Sequence, residues 1–345
     1  MWLITLRDLE WRRRRFAIAV IATSVVFALA LLLSGVSTSF DNEIRRTVDS
    51  FHADAWLIAS GGFGPFTGPT PFSAERAAEV QRAGGVERAD PVAILRATTT
   101  TPSTRNVNVI GVTPGGVGAP AGARLGGRAA VVDKSLGLSR GDRLDLNGTS
   151  FSVAAVSKGL TYFAGIPNVI VSLEDAQELG LGGQPLATAI VTQGVPTMHP
   201  AGLSILSNHD VEVDLGRPVH QAKQTIGLIR VLLWLVAAGI VGAMIYLTAL
   251  ERLRDFAVLK AIGLSTRTLL VGLALQAVLL ALVSAAVAVV LELVMAPASA
   301  MSVELSTLDF LLLPLIALIV GILASLLALR RAVTVDPALA FASAR

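Results

Sequence analysis

The chain has 345 residues, 53% of them hydrophobic and only 15% charged, against about 25% charged in an ordinary soluble domain, so much of its length is suited to lipid. The net charge of +3 and the pI near 9.7 do not indicate a nucleic-acid partner, because the basic residues flank apolar runs instead of covering one face of a soluble domain. With no cysteine, and four histidines (His52, His199, His209 and His220) in no HExxH or paired spacing, disulfides, thiolate metal sites and thiol nucleophiles are excluded and a zinc site lacks support.

Residues 1–15 form a basic segment that ends in Arg12-Arg13-Arg14-Arg15, and the uncharged run 16–36 follows it as a first membrane helix. A bilayer core about 30 Å thick needs roughly 20 helical residues. The rival reading of this run is a signal peptide. It is longer than the roughly 7–15 apolar residues of such a peptide, and no small-x-small cleavage site follows Gly35, so an uncleaved anchor is expected.

Residues 37–224 are long enough for an inserted extracytoplasmic domain. Residues 41–49 place Ile44, Val48 and Phe51 at helical spacing, which extends helix 1 as a stalk, and 221–229 can do the same for helix 2. Strands are expected at 54–58, 92–95, 107–112, 129–132, 143–146, 151–156, 169–171 and 188–191. Asn147-Gly148 marks a hairpin turn; its match to a glycosylation acceptor carries little weight. Helices are expected from Ser73 to Arg82, opened by a Ser73 cap with Glu75 in the first turn, and from Leu173 to Leu179 behind a Ser172 cap. The Gly/Pro-rich loop 61–71, with Phe63, Phe66 and the adjoining Phe72, either packs on its own domain or forms a rim that meets substrate or lipid. The domain reads as α+β.

Three further apolar runs complete the spans: 225–250, with Arg230 near its outer end, then 268–295 and 310–329. Lys and Arg collect on cytoplasmic segments, and they occur in 1–15, in 251–267 and at Arg330-Arg331, whereas 296–309 has none. Both termini are therefore expected in the cytoplasm. The short loop 296–309 lies outside and 330–345 forms a cytoplasmic tail. The fold class is membrane α-helical, four helices in a 1+3 arrangement around the inserted domain. Ala317-x-x-x-Gly321-x-x-x-Ser325 and Ala238-x-x-x-Gly242 permit close helix packing. Glu292 lies near enough to the outer interface to be solvated. No GxxxxGK[ST] and no Ser/His/Asp or paired-carboxylate constellation occurs, so ATP hydrolysis and other enzymatic activity are not expected of this chain.

The segment 248–263, Thr-Ala-Leu-Glu-Arg-Leu-Arg-Asp-Phe-Ala-Val-Leu-Lys-Ala-Ile-Gly, follows the second span on the basic side. It reads either as a short amphipathic helix at the membrane surface or as an ordinary positive-inside loop. Gly263 stands where a helix C-cap falls. Its Glu251-Arg252-x-x-Asp255 and Ala257-x-Leu259-Lys260-Ala261-x-Gly263 resemble the ER-x-x-E-x-A-x-L-K-A-x-G signature of MacB/FtsX-type (type VII) ABC transporter permeases, with Asp255 where the family usually has Glu. The basic N-terminus, Val131-Val132-Asp133 to Gly141-Asp142-Arg143-Leu144, and Arg330-Arg331-Ala332 to Asp336-Pro337-Ala338-Leu339-Ala340 are also similar to family segments, and the general layout is closest to DevC-like exporters.

The resemblance implies a permease homodimer in a bacterial cytoplasmic membrane, bound to two separate ABC ATPase subunits that hold ATP and Mg²⁺, with no cofactor in this chain. The coupling residues it assigns are Glu251, Arg252, Asp255 and Lys260 as ion-pairing groups, Phe256 and Leu259 as apolar anchors, and Gly263. The implied function is to transmit ATP hydrolysis to the outer domain, for export or outer-leaflet handling of a lipid, lipoprotein, peptide or drug-like molecule, with membrane lipid and an extracytoplasmic adaptor as further partners. The alternative is an FtsX-like regulatory protein that activates an extracellular cell-wall hydrolase. A third reading is a membrane-anchored sensor without an ATPase.

Overall fold

The computed structural model of the protein describes residues 13–162, 165–251, 258, 262–263, 265–295 and 307–332. The expectations for the loop 296–306, for 333–345 and for most of the basic N-terminal segment fall outside the described residues. Six helices occur among those described: α1 (Arg13–Asp49), α2 (Ala77–Gln81), α3 (Leu173–Gly180), α4 (Asn208–Glu251), α5 (Thr266–Met295) and α6 (Thr307–Ala332). The chain divides into two compact units, one of Phe40–Ala222 and one of Met1–Ser39 with Lys223–Arg345. The helices α1 and α4 are each continuous and contribute residues to both.

The unit Phe40–Ala222 is built on one mixed sheet. Its strands are β1 (Ala55–Ala59), β3 (Arg88–Thr99), β4 (Arg105–Val112), β5 (Ala129–Asp133), β6 (Arg143–Leu146), β7 (Thr149–Ser157), β8 (Thr161–Tyr162), β9 (Ile166–Ser172), β11 (Ala189–Gln193) and β12 (Leu203–Leu206), while β2 (Phe72–Ser73) pairs separately with β10 (Leu186–Ala187). The spatial order is β12-β1-β11-β3-β4-β9-β5-β7-β6, with β8 on β9. The β4–β9 and β5–β7 pairs are parallel and the others antiparallel. Asn147 and Gly148 both have positive φ (50° and 85°) in the tight β6–β7 hairpin, as the Asn-Gly signal requires. The Ser172 hydroxyl accepts from the Asp175 amide and caps α3. That helix presses Ala176 against Gly111 of β4, where a Cβ on Gly111 would collide with it. Among the described residues, one apolar cluster gathers around Leu144, Val153 and Val169 and another around Leu57, Val80 and Ile190.

Two local expectations change. Ser73 makes no side-chain cap. It belongs to β2, paired with Leu186, and a 3₁₀ turn over Ala74–Arg76 separates it from α2. The sheet partner, remote in sequence, takes the residue before the helix can use it. The helix of the second span begins at Asn208, well before 225, even though Pro218 lies inside it. Ser207 and Asp210 explain the earlier start: the Asp210 amide donates to the Ser207 hydroxyl and the Ser207 amide donates to the Asp210 carboxylate, 3.2 and 2.9 Å. This reciprocal box nucleates the helix upstream of the proline.

In the other unit, α1, α4, α5 and α6 share an apolar core that includes Phe27, Leu31, Val241, Ile245, Leu280 and Ala317. Three helices, Arg13–Asp49, Asn208–Glu251 and Val271–Met295, are long and apolar enough to cross a membrane; Thr307–Leu323 is a shorter apolar stretch. Lacking a hydrophobic driving force between helices, membrane bundles pack through small residues. A Cβ on Gly321 of α6 would lie 2.9 Å from the Val278 Cα of α5, so backbone meets backbone there. Three buried hydroxyls close on their own helices: Ser24 donates to the Val20 carbonyl, Thr248 to Met244 and Ser284 to Leu280. Such i−4 bonds satisfy a hydroxyl where no water is present.

Candidate functional site

The signature segment starts where α4 ends. Glu251, the last residue of α4, forms an ion pair with Arg15 in the first turn of α1. Arg15 is 60% and Glu251 35% exposed, so the pair adds little to stability, but it fixes which ends of two antiparallel helices meet. Beyond it, Val258 is helical, the Ile262 amide donates to the Val258 carbonyl at 3.0 Å, and Gly263 turns the chain with φ 101°. A left-handed residue at that place is a helix stop that glycine adopts without a Cβ penalty. Val258 and Ile262, four residues apart, are 51% and 74% exposed and lie on one helical face. Arg252, Asp255, Phe256, Leu259 and Lys260 lie outside the described residues. The sequence places Arg15 in a basic run and Val258 and Ile262 within the signature segment, without a role of their own. The i, i+4 spacing of the last two was available as a signal; the partner of Arg15 was not, being more than two hundred residues away.

At the opposite end of the same helix pair, the Arg230 guanidinium donates to the Ser34 hydroxyl at 3.2 Å and stands 5.5 Å over the Trp234 ring. Ser34 in turn donates to Asp309 of the first turn of α6 at 2.6 Å. The starts of α4's apolar run and of α6 therefore share one end of the bundle, opposite Arg15 and Glu251. Glu292 departs from expectation. It is fully buried, and neither carboxyl oxygen has a hydrogen-bond partner among the described residues. Its position in the chain suggested a solvated interface, but the side chain is buried.

In the unit Phe40–Ala222, α1 and α4 each direct a buried carboxylate into the sheet domain. Glu43 of α1 accepts from the Thr161 hydroxyl at 3.0 Å and the Gly165 amide at 3.3 Å, and the Thr47 hydroxyl donates to the Thr161 carbonyl. Asp214 of α4 accepts from the Phe66 amide at 3.0 Å, the Thr67 amide at 3.3 Å and the Thr67 hydroxyl. Asn208 adds a third tie, accepting from the Trp56 indole at 2.9 Å and donating to the Ala53 carbonyl at 2.8 Å. Around these bonds Phe51, Trp56, Phe66 and Tyr162 stack edge to face and tilted, with centroids 4.6 to 6.3 Å apart. Such aromatic pairs stabilise by about 0.5–1.5 kcal/mol beyond their burial.

Burial pushes the Tyr162 hydroxyl up to about 12; the nearby Arg96 opposes the shift and the Asp214 carboxylate adds to it. Asp210, in the capping box, is held below the usual carboxylate range by its bonds from the Ser207 side chain and backbone. The loop 61–71 divides between its two readings. Phe66 is buried and anchored by Asp214, whereas Phe63 is 74% exposed. Gly64 is the point of closest approach, since a Cβ there would run into the Asp214 carboxyl group.

Known proteins bear on these features. The FtsX-like permease C-terminal family matches residues 227–337. The uncharacterized ABC transporter permease Rv2563 of Mycobacterium tuberculosis is 42% identical over 348 residues, spanning 99% of each chain. A second from that organism, the uncharacterized ABC transporter permease Rv0072, is 40% identical over 351 residues, again 99% of each. Among solved structures, the extracellular domain of the noncanonic ABC-type transporter YknZ from Gram-positive bacteria aligns at 14% identity and TM-score 0.31, over 42% of this chain and 84% of that one. The periplasmic region of MacB from Actinobacillus actinomycetemcomitans aligns at 10% identity and TM-score 0.34, over 49% and 96%.

Proposed function

From the premise that the chain belongs to the ABC transporter permeases with an FtsX-like C-terminal domain, we propose that it transmits ATP hydrolysis in a separate ATPase subunit to work done by its own 37–224 domain. The ATPase subunit holds ATP and Mg²⁺ and supplies the bond-breaking chemistry. This chain supplies a docking segment and rigid connections, and is not itself an enzyme. The segment 251–263 is the docking element. Phe256, Leu259 and the exposed Val258 and Ile262 form its apolar part, Arg252, Asp255 and Lys260 its charged rim, and Gly263 its end. A few buried apolar anchors within a charged rim carry most of the energy of such interfaces.

The observation that carries this reading is the Arg15–Glu251 pair. It ties the first residue of the docking segment to α1 as well as to α4. Those same two continuous helices hold the carboxylates of Glu43 and Asp214. The proposed route of a push on the segment runs into α1 and α4 and along the chain of each to the 37–224 domain, a hinge-or-shear transmission.

We further propose four spans in a 1+3 arrangement, at 16–36, 225–250, 268–295 and 310–329, with both termini in the cytoplasm of a bacterium. Arg15 and Glu251 share one end of the bundle, while Ser34, Arg230 and Asp309 share the other. The basic residues of 1–15, 251–267 and 330–331 then face one compartment, as the positive-inside tendency requires. The assembly is a permease homodimer with two ATPases. Its work is export or outer-leaflet handling of a lipid, lipoprotein, peptide or drug-like molecule.

Purification of the tagged full chain from its own membranes tests the reading. Wild type recovers an ABC ATPase. Replacing Glu251 and Lys260 by Ala leaves the chain in the membrane and lowers both ATPase recovery and ATP turnover. Arg15→Gln, which removes the internal partner of Glu251 and leaves 251–263 unchanged, separates docking from the tie to α1. Undiminished recovery and turnover in the double variant would refute the docking role. A cell-wall hydrolase captured on the outer side, in place of an adaptor, would assign the regulatory function instead.

A further inference from the structure

Between the Arg15 half of α1 and the Glu251 half of α4 lies a cleft of about 430 Å³, within the roughly 300–1,000 Å³ typical of small-molecule sites. Its walls are two helical stripes. Ile18, Ala19 and Ala22 come from α1; Ile240, Met244 and Leu247 come from α4. The alanines leave the space, and the larger side chains give it an apolar surface. Thr248 also lines it, but its hydroxyl is already donated to the Met244 carbonyl, so the interior offers no polar handle. At the mouth stand Arg15 and Glu251. The lining is thus apolar along its length and ionic at one end.

That pattern fits an amphipathic ligand with an anionic head. We infer that this cleft holds one anionic phospholipid from the bilayer leaflet that faces Arg15, its acyl chain along Ile18, Ala22, Ile240 and Met244 and its phosphate at Arg15. Charge selects the head. Arg15 lines the mouth and Arg14, next to it in the chain, is exposed, whereas Glu251 is the one carboxylate among the described lining residues. Each basic residue near a membrane surface favours anionic lipid. Arg15 can serve both partners, because a guanidinium presents five N–H donors in a planar fork and Glu251 takes one through Nη1. The inference rests on reading α1 and α4 as membrane spans, and it concerns a resident lipid, distinct from any molecule the permease moves.

The test uses the full chain reconstituted in equimolar phosphatidylglycerol and phosphatidylcholine, transferred to mild detergent and analysed by native mass spectrometry. Wild type is expected to retain one phosphatidylglycerol per chain, with about tenfold preference over phosphatidylcholine. Arg15→Gln is expected to lose the preference. Ala22→Phe, which fills the cleft without touching a charge, is expected to lose the retained lipid altogether. Leu315→Phe, on the exposed face of α6, is expected to behave as wild type. If Ala22→Phe does not yield a folded chain, Met244→Trp from the other wall gives the same reading.

Equal retention of the two lipids by wild type overturns the inference, as does undiminished retention in the cleft-filling variants. A third refuting result is efficient cross-linking between two copies through Ala22→Cys, in a chain that has no other cysteine, because the cleft is then a permease–permease contact. ATPase recovery measured on the same preparations keeps the two proposals apart. In wild type, no lipid preference with the ATPase recovered refutes only the lipid site, and a lipid preference with no ATPase recovered refutes only the docking segment.

Discussion

Replacing Asp214 by Ala removes the acceptor that holds the loop 61–71 to α4. Three donors lose their partner: the amides of Phe66 and Thr67 and the Thr67 hydroxyl. A buried polar group left without a partner costs about 1–3 kcal/mol. Phe66 is buried, so its amide is charged near the middle of that range, about 2 kcal/mol. Thr67 is half-buried and its groups can recover water, so about 1 kcal/mol covers both. The loop is therefore expected to open more easily by about 3 kcal/mol, or about a hundredfold at 1.4 kcal/mol per decade. Hydrogen exchange of the 61–71 amides in the full-length protein reads this directly, because exchange reports local opening. Protection at Phe66 and Thr67 should fall about a hundredfold, while the β3 and β4 amides stay as in wild type. Asp214→Asn keeps one carbonyl acceptor and should fall between the two. Protection within about threefold of wild type at Phe66 in Asp214→Ala would refute the claim that this carboxylate ties the loop to α4.

Two further outcomes follow from the packing. The folded state keeps Tyr162 neutral up to about pH 12, while an unfolded tyrosine ionises near 10, so this stability is complete below pH 10 and is lost as pH rises toward 12. Tyr162→Phe should flatten that alkaline loss in a thermal-unfolding series, and an unchanged alkaline slope would count against the assignment. Gly321→Ala places a methyl group 2.9 Å from the Val278 Cα; forced overpacking of this kind costs about 1–3 kcal/mol. The variant should lower the melting temperature of the chain in detergent, whereas Ala at the exposed Ile319 on the same helix should not.

Legibility differed by the range of the interaction involved. The apolar runs, the Asn147-Gly148 turn, the Ser172 cap and the small-residue contact at Gly321 are visible in the chain because each is decided within a few residues or by composition alone. The family signature at 251–263 is equally local. Ser73 misled for the opposite reason: its neighbours favour a cap, and a strand more than a hundred residues away claims it. The long start of α4 was not legible in hydropathy because 208–224 is polar, although the Ser207–Asp210 box that opens the helix was present.

By itself the sequence determined which runs are apolar enough to enter lipid and which segment resembles a family signature, since hydropathy, charge and turn chemistry act over short stretches. Only the tertiary structure decided which distant groups meet. It paired Glu251 with Arg15, buried Glu292, divided Phe66 from Phe63, and gave Glu43 and Asp214 their donors. The physical reason is that a carboxylate's role is set by what surrounds it. Those surroundings are assembled from segments that the linear order keeps apart.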